Sequence, residues 1–170
     1  MWVSREDNTP AAHGDRREDD GRTRLVSVGE RASRQVRYSA AQIAEFARLT
    51  GDSNQLHVCD EAARRAGFGG VIASGQQTTA MMMGLLASHF SRNDDGVERE
   101  MLCLNVNFAF KQPVLAEQDV QLQWTVGSAE WHNKLQGMLT QLDGTAAVEG
   151  HKPSVIGRAT ILVKVAPWAT

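Results

Sequence analysis

Cysteine is scarce in this chain. Its two residues, Cys59 and Cys103, are far apart, and neither sits in a Cys-x-x-Cys or histidine-flanked pattern. That argues against a disulfide scaffold or a zinc site, and two scattered thiols suit a reducing compartment. An excess of one charge is also missing. The formal net charge is -2, so no basic field recruits nucleic acid or an anionic membrane. No long apolar run occurs either. The longest, Ala80 to Ala87, falls far short of the ~20 residues that span a bilayer. The first residues carry charges with no apolar segment behind them, so the expectation is a cytoplasmic domain without a secretory signal. What remains is ordinary globular composition: 170 residues, 42% hydrophobic and 22% charged. A chain of that length is expected to form one domain with a real core.

Arg5 to Arg24 mixes Arg, Asp, Glu, Gly and Pro and offers little to bury. Residues 1–29 are therefore expected to form a flexible extension, and residues 30–167 the folded domain. Order is expected to begin near Val26 or Ala32, with Gln35 to Tyr38 alternating as a short strand. Ser39 reads as a helix N-cap, with Gln42 completing a capping box. Ile43, Phe46, Ala47 and Thr50 repeat at helical spacing, so they are expected on an inward face, and Gly51 ends that helix. Asp60 is placed as the cap of a short helix through Arg65, stopped by Gly67. Ser74 caps a longer helix from Gly75 to about Phe90. Apolar residues nearly encircle that helix, which predicts burial on most sides.

After a charged loop the period changes to two. Leu102, Leu104, Val106, Phe108 and Phe110 alternate as one half-buried strand, closed by Pro113. Val120 to Val126, Leu135 with Gly137 and Leu139, and Val155 to Val165 supply three more strands. One buried helix followed by long strands predicts an α+β domain with a curved antiparallel sheet.

Only one cluster points to chemistry: Phe46-Ala-Arg-Leu49-Thr50-Gly51-Asp52-Ser53-Asn54-Gln55-Leu56-His57. It holds a carboxylate and an imidazole five residues apart on a turn after a helix. A carboxylate only accepts hydrogen bonds, whereas imidazole donates or accepts and titrates near neutrality. Such a pair suits moving a proton on and off a small oxygen nucleophile. Asn54 either braces the turn or orients His57. Gly-Asp-Ser-Asn is also a common way to finish a helix and turn the chain.

The segment resembles the signature of the R-specific enoyl-CoA hydratases and MaoC-like dehydratases, L-[ST]-G-D-x-N-P-[LIV]-H, followed six residues later by a small residue, here Ala63. Ile72-Ala73-Ser74-Gly75 is similar to the family's I-x-[HS]-G approach to its central helix. Phe108-Ala109-Phe110-Lys111-Gln112-Pro113-Val114 is similar to its F-x-F-x-x-P-V strand end. The resemblance implies a hot-dog fold, a long central helix wrapped by an antiparallel sheet. It implies that Asp52 and His57 hold the water that adds to C3 of a trans-2-enoyl thioester, and exchange the proton at C2. It also implies that the Gly75 amide binds the thioester oxygen. Which of Asp52 and His57 takes the water proton is left open. Helix N-terminal amides stabilise developing negative charge, and glycine admits the acyl group close to backbone. Asn54 and Ser74 are supporting residues. Three positions depart from the pattern: Gln55 replaces the turn proline, Ser74 replaces a histidine found in many members, and Met83 stands where hydratases place a serine.

The expected activity is hydration of an enoyl-CoA or the reverse dehydration. The substrate is carried on coenzyme A or acyl carrier protein, with no cofactor and no metal. A homodimer or dimer of dimers is expected, with no nucleic-acid or membrane partner. A hot-dog thioesterase and a non-catalytic partner subunit of a heterodimeric dehydratase are the alternatives. Gln76 and Gln77 either read a polar acyl substituent or face solvent. Met81 to Met83 reads as core, Lys111 as solvated or near a coenzyme A phosphate, and Ser74, Thr78 and Thr79 as capping residues rather than nucleophiles. Changing Asp52 or His57 is expected to lower turnover by at least ~100-fold and hardly move stability.

Overall fold

The computed structural model describes residues 25–94 and 96–166. The expected extension lies, up to residue 24, outside the described residues. The body starts before residue 30, because Leu25 and Val26 are already core, and the Leu25 carbonyl accepts a hydrogen bond from Arg99 Nε at 3.1 Å.

The elements run β1 (Arg31–Arg37), α1 (Ala40–Thr50), a single 3-10 turn (Gln55–His57), α2 (Asp60–Arg65), α3 (Gly75–Phe90), β2 (Arg99–Phe110), β3 (Asp119–His132), β4 (Gly137–Val148) and β5 (Pro153–Val165). The strands form one antiparallel sheet in the order β1-β3-β4-β5-β2. Helix α3 packs against it. This is the α+β hot-dog arrangement. Strand β1 is longer than its hydrophobic pattern suggests, because its pairing with β3 from Arg31 to Arg37 supplies the order while only Ala32 is fully buried.

Trp124 is the pin between layers. It is fully buried, and its indole N–H donates to the Met82 carbonyl at 2.9 Å. Leu122 and Val126 flank it from β3, with Leu142 and Ala146 on β4 and Val155, Ile161 and Val163 on β5.

Two strand expectations are corrected. On β2 the five alternating residues do not share one face. A register shift between Cys103 and Asn105 makes Leu104 the extra residue of a bulge. A bulge reverses the side-chain parity of everything beyond it. Met101, Val106 and Phe108 therefore pack on the core, while Leu102 and Leu104 are about half exposed (49% and 50%). On β4 the core face belongs to Met138, Thr140, Leu142 and Ala146. Leu135 lies in the preceding turn, and Leu139 is on the other parity. Pairing to β3 and β5 sets that register, not the leucines.

Helix α3 is also less enclosed than its composition implies. Met82, Leu85, Leu86 and Phe90 are buried, but Ala80, Gly84 and Ala87 are exposed. In α1 the inward face is narrower than expected: Ile43 and Ala47 are buried, Phe46 is half-buried and Thr50 is exposed. The Ser39–Gln42 capping box forms in both directions. Cys59, not Asp60, takes the N-cap position of α2, without a side-chain bond. The Asp60 carboxylate instead accepts from Arg64 Nε at 2.6 Å.

Candidate functional site

Gly51 makes the turn that presents Asp52. Its φ of +70° is the left-handed conformation that glycine adopts without cost. With it, the Gly51 amide bonds to Arg48 O (3.3 Å) and the Asp52 amide to Ala47 O (2.8 Å), a Schellman ending to α1. The Asp52 side chain then closes the turn, its Oδ1 accepting the Asn54 amide at 3.0 Å. Asn54 Oδ1 in turn accepts the Leu56 amide at 3.1 Å. Asn54 thus braces the turn, and its side chain does not orient His57.

The orienting group is the Ile72 carbonyl, 2.8 Å from His57 Nδ1. A carbonyl oxygen only accepts, so Nδ1 carries a proton. In the neutral ring Nε2 then bears a lone pair, and it faces Asp52 Oδ2 at 3.6 Å. Two acceptors at that distance make no direct hydrogen bond. One water donating a proton to each would satisfy both. His57 is buried, and the Asp52 side chain is 24% exposed at the mouth.

The segment that orients His57 also launches α3. The Ile72 amide bonds to Leu56 O (3.1 Å), Ala73 N to Val114 O (2.8 Å) and Ala116 N to Val71 O (2.9 Å). Strand-like pairing of residues 71–73 with 114–116 therefore fixes the turn and the N-terminus of α3 in one frame. Ser74 is buried and caps the helix, its Oγ accepting the Gln77 amide at 3.2 Å. Gly75 opens the helix, and its amide is among those that helix geometry leaves without an intrahelical acceptor.

Asp52, His57 and Gly75 line one cleft of about 460 Å³, whose walls are largely apolar and include Phe68, Ile72, Val114 and Val155. Gln76, Thr78, Lys111 and Gln112 add polar side chains. Gln76 and Gln77 have different fates: Gln76 is exposed at this cleft, whereas Gln77 is buried against α1. Met83 is half-buried on the core side and is not a cleft residue. Thr78, read as a capping residue, is a cleft wall.

The space that Gly75 leaves, expected to admit the acyl group, is instead filled by the ring of Phe110. A Cβ at position 75 would collide with Phe110 Cε1. The F-x-F pattern contained that residue, but not its placement. The Ile72 carbonyl was invisible in the sequence, since a backbone acceptor leaves no side-chain trace. Among the described residues, no group of three or more His, Cys, Asp or Glu side chains is placed to hold a metal ion. No described helix is long and apolar enough to cross a membrane.

A second polar cluster stands at the far end of α3. Glu30 Oε1 lies 2.9 Å from His89 Nε2 and 3.1 Å from Arg92, and Oε2 accepts the Ser27 amide at 3.0 Å. Burial alone would raise the Glu30 carboxyl. The Ser27 amide, His89 and Arg92 outweigh it and hold the group below the usual carboxylate range. This cluster ties the approach to β1 onto the helix.

Comparison with known proteins agrees with this architecture. The chain is 26% identical over 128 residues to the (R)-specific enoyl-CoA hydratase of Aeromonas caviae, spanning 74% of this chain and 91% of that protein. The solved structure of an (R)-hydratase from A. caviae involved in PHA biosynthesis superposes with a TM-score of 0.69 at 25% identity, covering 83% of this chain and 98% of the other. A MaoC-like dehydratase from Rhodospirillum rubrum shares the fold with a TM-score of 0.69 at 22% identity, over 84% and 95% of the two chains. The model of the MaoC-like domain matches residues 22–146, and the chain belongs to that family.

Proposed function

We propose that this protein hydrates a trans-2-enoyl thioester, or dehydrates the 3-hydroxyacyl thioester in the reverse direction. The observation that carries this reading is the geometry of the acceptor pair. His57 Nε2 and Asp52 Oδ2, 3.6 Å apart, open into the same cleft as the first amide of α3. A water donating to both acceptors has its oxygen lone pairs free for C3 of the substrate. As the C3–O bond forms, the C2=C3 electrons move toward the thioester oxygen. The Gly75 amide meets that developing charge, with the helix N-terminus behind it. The Asp52–His57 pair takes the water's proton and returns a proton to C2, so H and OH add across the double bond. The Ile72 carbonyl holds the imidazole in the tautomer that leaves Nε2 available. Ser74 holds the helix start, and Asn54 holds the turn.

The similarity to an (R)-specific enoyl-CoA hydratase supports coenzyme A as the carrier. Lys111 at the cleft offers a cation to its phosphates. The test is a panel of enoyl-CoA and enoyl-acyl carrier protein substrates, followed by loss of the conjugated-thioester absorbance, with product stereochemistry determined. Release of free thiol without loss of the double bond would replace this reading with thioester hydrolysis.

The working unit in this proposal is a homodimer joined through β2. That strand is a sheet edge, and it exposes Leu102, Leu104 and Phe110 beside Val165 of β5. An apolar open edge invites pairing with another strand. A second copy, which can continue the ladder, suits it. Sedimentation at micromolar concentration is expected to show a dimer and Leu104→Lys to weaken it; a monomer throughout would refute this assembly.

A further inference from the structure

Tyr38 is the chain's single tyrosine, and it is 3% exposed. Its hydroxyl finds no hydrogen-bond partner among the described residues. A buried phenol usually reaches one, since an unpaired buried hydroxyl loses its water contacts without compensation. The polar group facing it is the Thr78 side chain. It is close enough to act on the phenol as a hydrogen-bond partner, though the bond falls short of full hydrogen-bond geometry. Burial pushes the phenol up from its ordinary range, and Thr78 opposes that only in part. Tyr38 is thus a neutral donor at physiological pH.

Thr78 is itself 2% exposed, yet it is a wall of the cleft that contains Asp52, His57 and Gly75. The walls of that cleft are largely apolar and include Val114 and Val155. A hydroxyl on a largely apolar cleft, backed by a phenol without a completed hydrogen bond, is not needed for packing. Valine and phenylalanine would fill the same volumes.

We propose that Thr78 is a specificity-determining residue that hydrogen-bonds an oxygen on the acyl chain, with Tyr38 positioned behind it as the donor that fixes its hydroxyl. The relay runs one way. The phenol donates to Thr78 Oγ1, and the Thr78 hydroxyl donates into the cleft, so the group it recognises is an acceptor such as an ether, keto or hydroxyl oxygen. Thr78 stands three residues along α3 from Gly75, a rise of roughly 4.5 Å. With the thioester oxygen at the Gly75 amide, that reach corresponds to the fourth or fifth carbon of the acyl chain. The substrate class is therefore an enoyl thioester oxygenated near C4 or C5. This inference rests on the hydratase reading above.

The experiment compares trans-2-hexenoyl-CoA with 4-methoxybut-2-enoyl-CoA, in which an ether oxygen takes the place of C5. The wild-type protein is expected to favour the ether in kcat/KM by about fivefold, the scale of one neutral hydrogen bond. Thr78→Val and Tyr38→Phe should each bring the ratio toward one, and Thr78→Ser should retain it. Tyr38→Phe should keep or raise Tm, so a lost preference there is not an unfolding effect. A wild-type ratio near one, or a preference that survives both substitutions, overturns the inference while leaving the hydratase reading in place. Hydration of neither thioester, with no binding of saturated hexanoyl-CoA, overturns the hydratase reading and this inference with it.

Discussion

Replacing Asp52 with Asn tests the acceptor pair more sharply than its near-identical volume suggests. Asp52 Oδ1 is committed to the Asn54 amide, so the asparagine keeps its oxygen there and places its NH2 where Oδ2 stood. That NH2 lies 3.6 Å from His57 Nε2 in the present geometry, and a small rotation lets it donate to the Nε2 lone pair. Asp52→Asn therefore removes the charge and also occupies the second acceptor. Asp52→Ala removes the charge and leaves Nε2 free. The loss of a positioned acid or base lowers turnover by about 100- to 10,000-fold, or roughly 3–5 kcal/mol of barrier. Asn is expected at the severe end, with Ala no worse than Asn.

His57 adds a second readout, because it is buried and bonded to Ile72. For this residue the structure leads to a larger expected effect on stability than the sequence did. His57→Ala leaves the Ile72 carbonyl unpaired and should cost about 1–3 kcal/mol, whereas Asp52→Asn should cost little. The assay is loss of enoyl-thioester absorbance, with urea unfolding in parallel. The double variant should be barely worse than the more severe single one, since both groups act on one water. Multiplicative losses, or a folded Asp52→Asn protein with near wild-type rates, would refute the shared-water geometry.

Three further outcomes are expected. Gly75→Ala should lower activity, since its Cβ must displace the Phe110 ring; that ring is 58% exposed and can move aside, so Tm should change little, and parallel rate and stability measurements check this. Glu30→Gln should lower stability by roughly 1 kcal/mol at neutral pH. The folded-state pKa of Glu30 is depressed, so the wild-type advantage is fully present above the ordinary carboxylate range and fades as pH falls through the depressed value; denaturant melts from pH 7 to 3 read it. Gln77→Leu should raise stability by about 1 kcal/mol, because the buried Gln77 Oε1 has no partner among the described residues; a lower Tm would show that the amide is satisfied in solution.

Much of this protein is written in local patterns. The Ser39–Gln42 box, the Gly51 stop, the Ser74 cap and the bounds of α3 follow from side chains acting on neighbouring backbone, over a few residues. Asp52, His57 and Gly75 are grouped by resemblance to the family's separate motifs, not by local pattern. Other features depend on contacts between distant segments. Leu102 and Leu104 alternate perfectly with Val106 and Phe108, yet a bulge opposite β5 turns them outward. Pairing across the sheet decides parity, and no single strand contains that information. The tautomer of His57 hangs on a carbonyl fifteen residues away, itself placed by pairing with the strand end at Val114–Ala116. Tyr38 came to stand behind Thr78, and Phe110 over Gly75, only when β1, α3 and β2 packed together. Sequence alone determined which groups were available, and tertiary packing decided which of them face each other, because facing requires the whole sheet to close around α3.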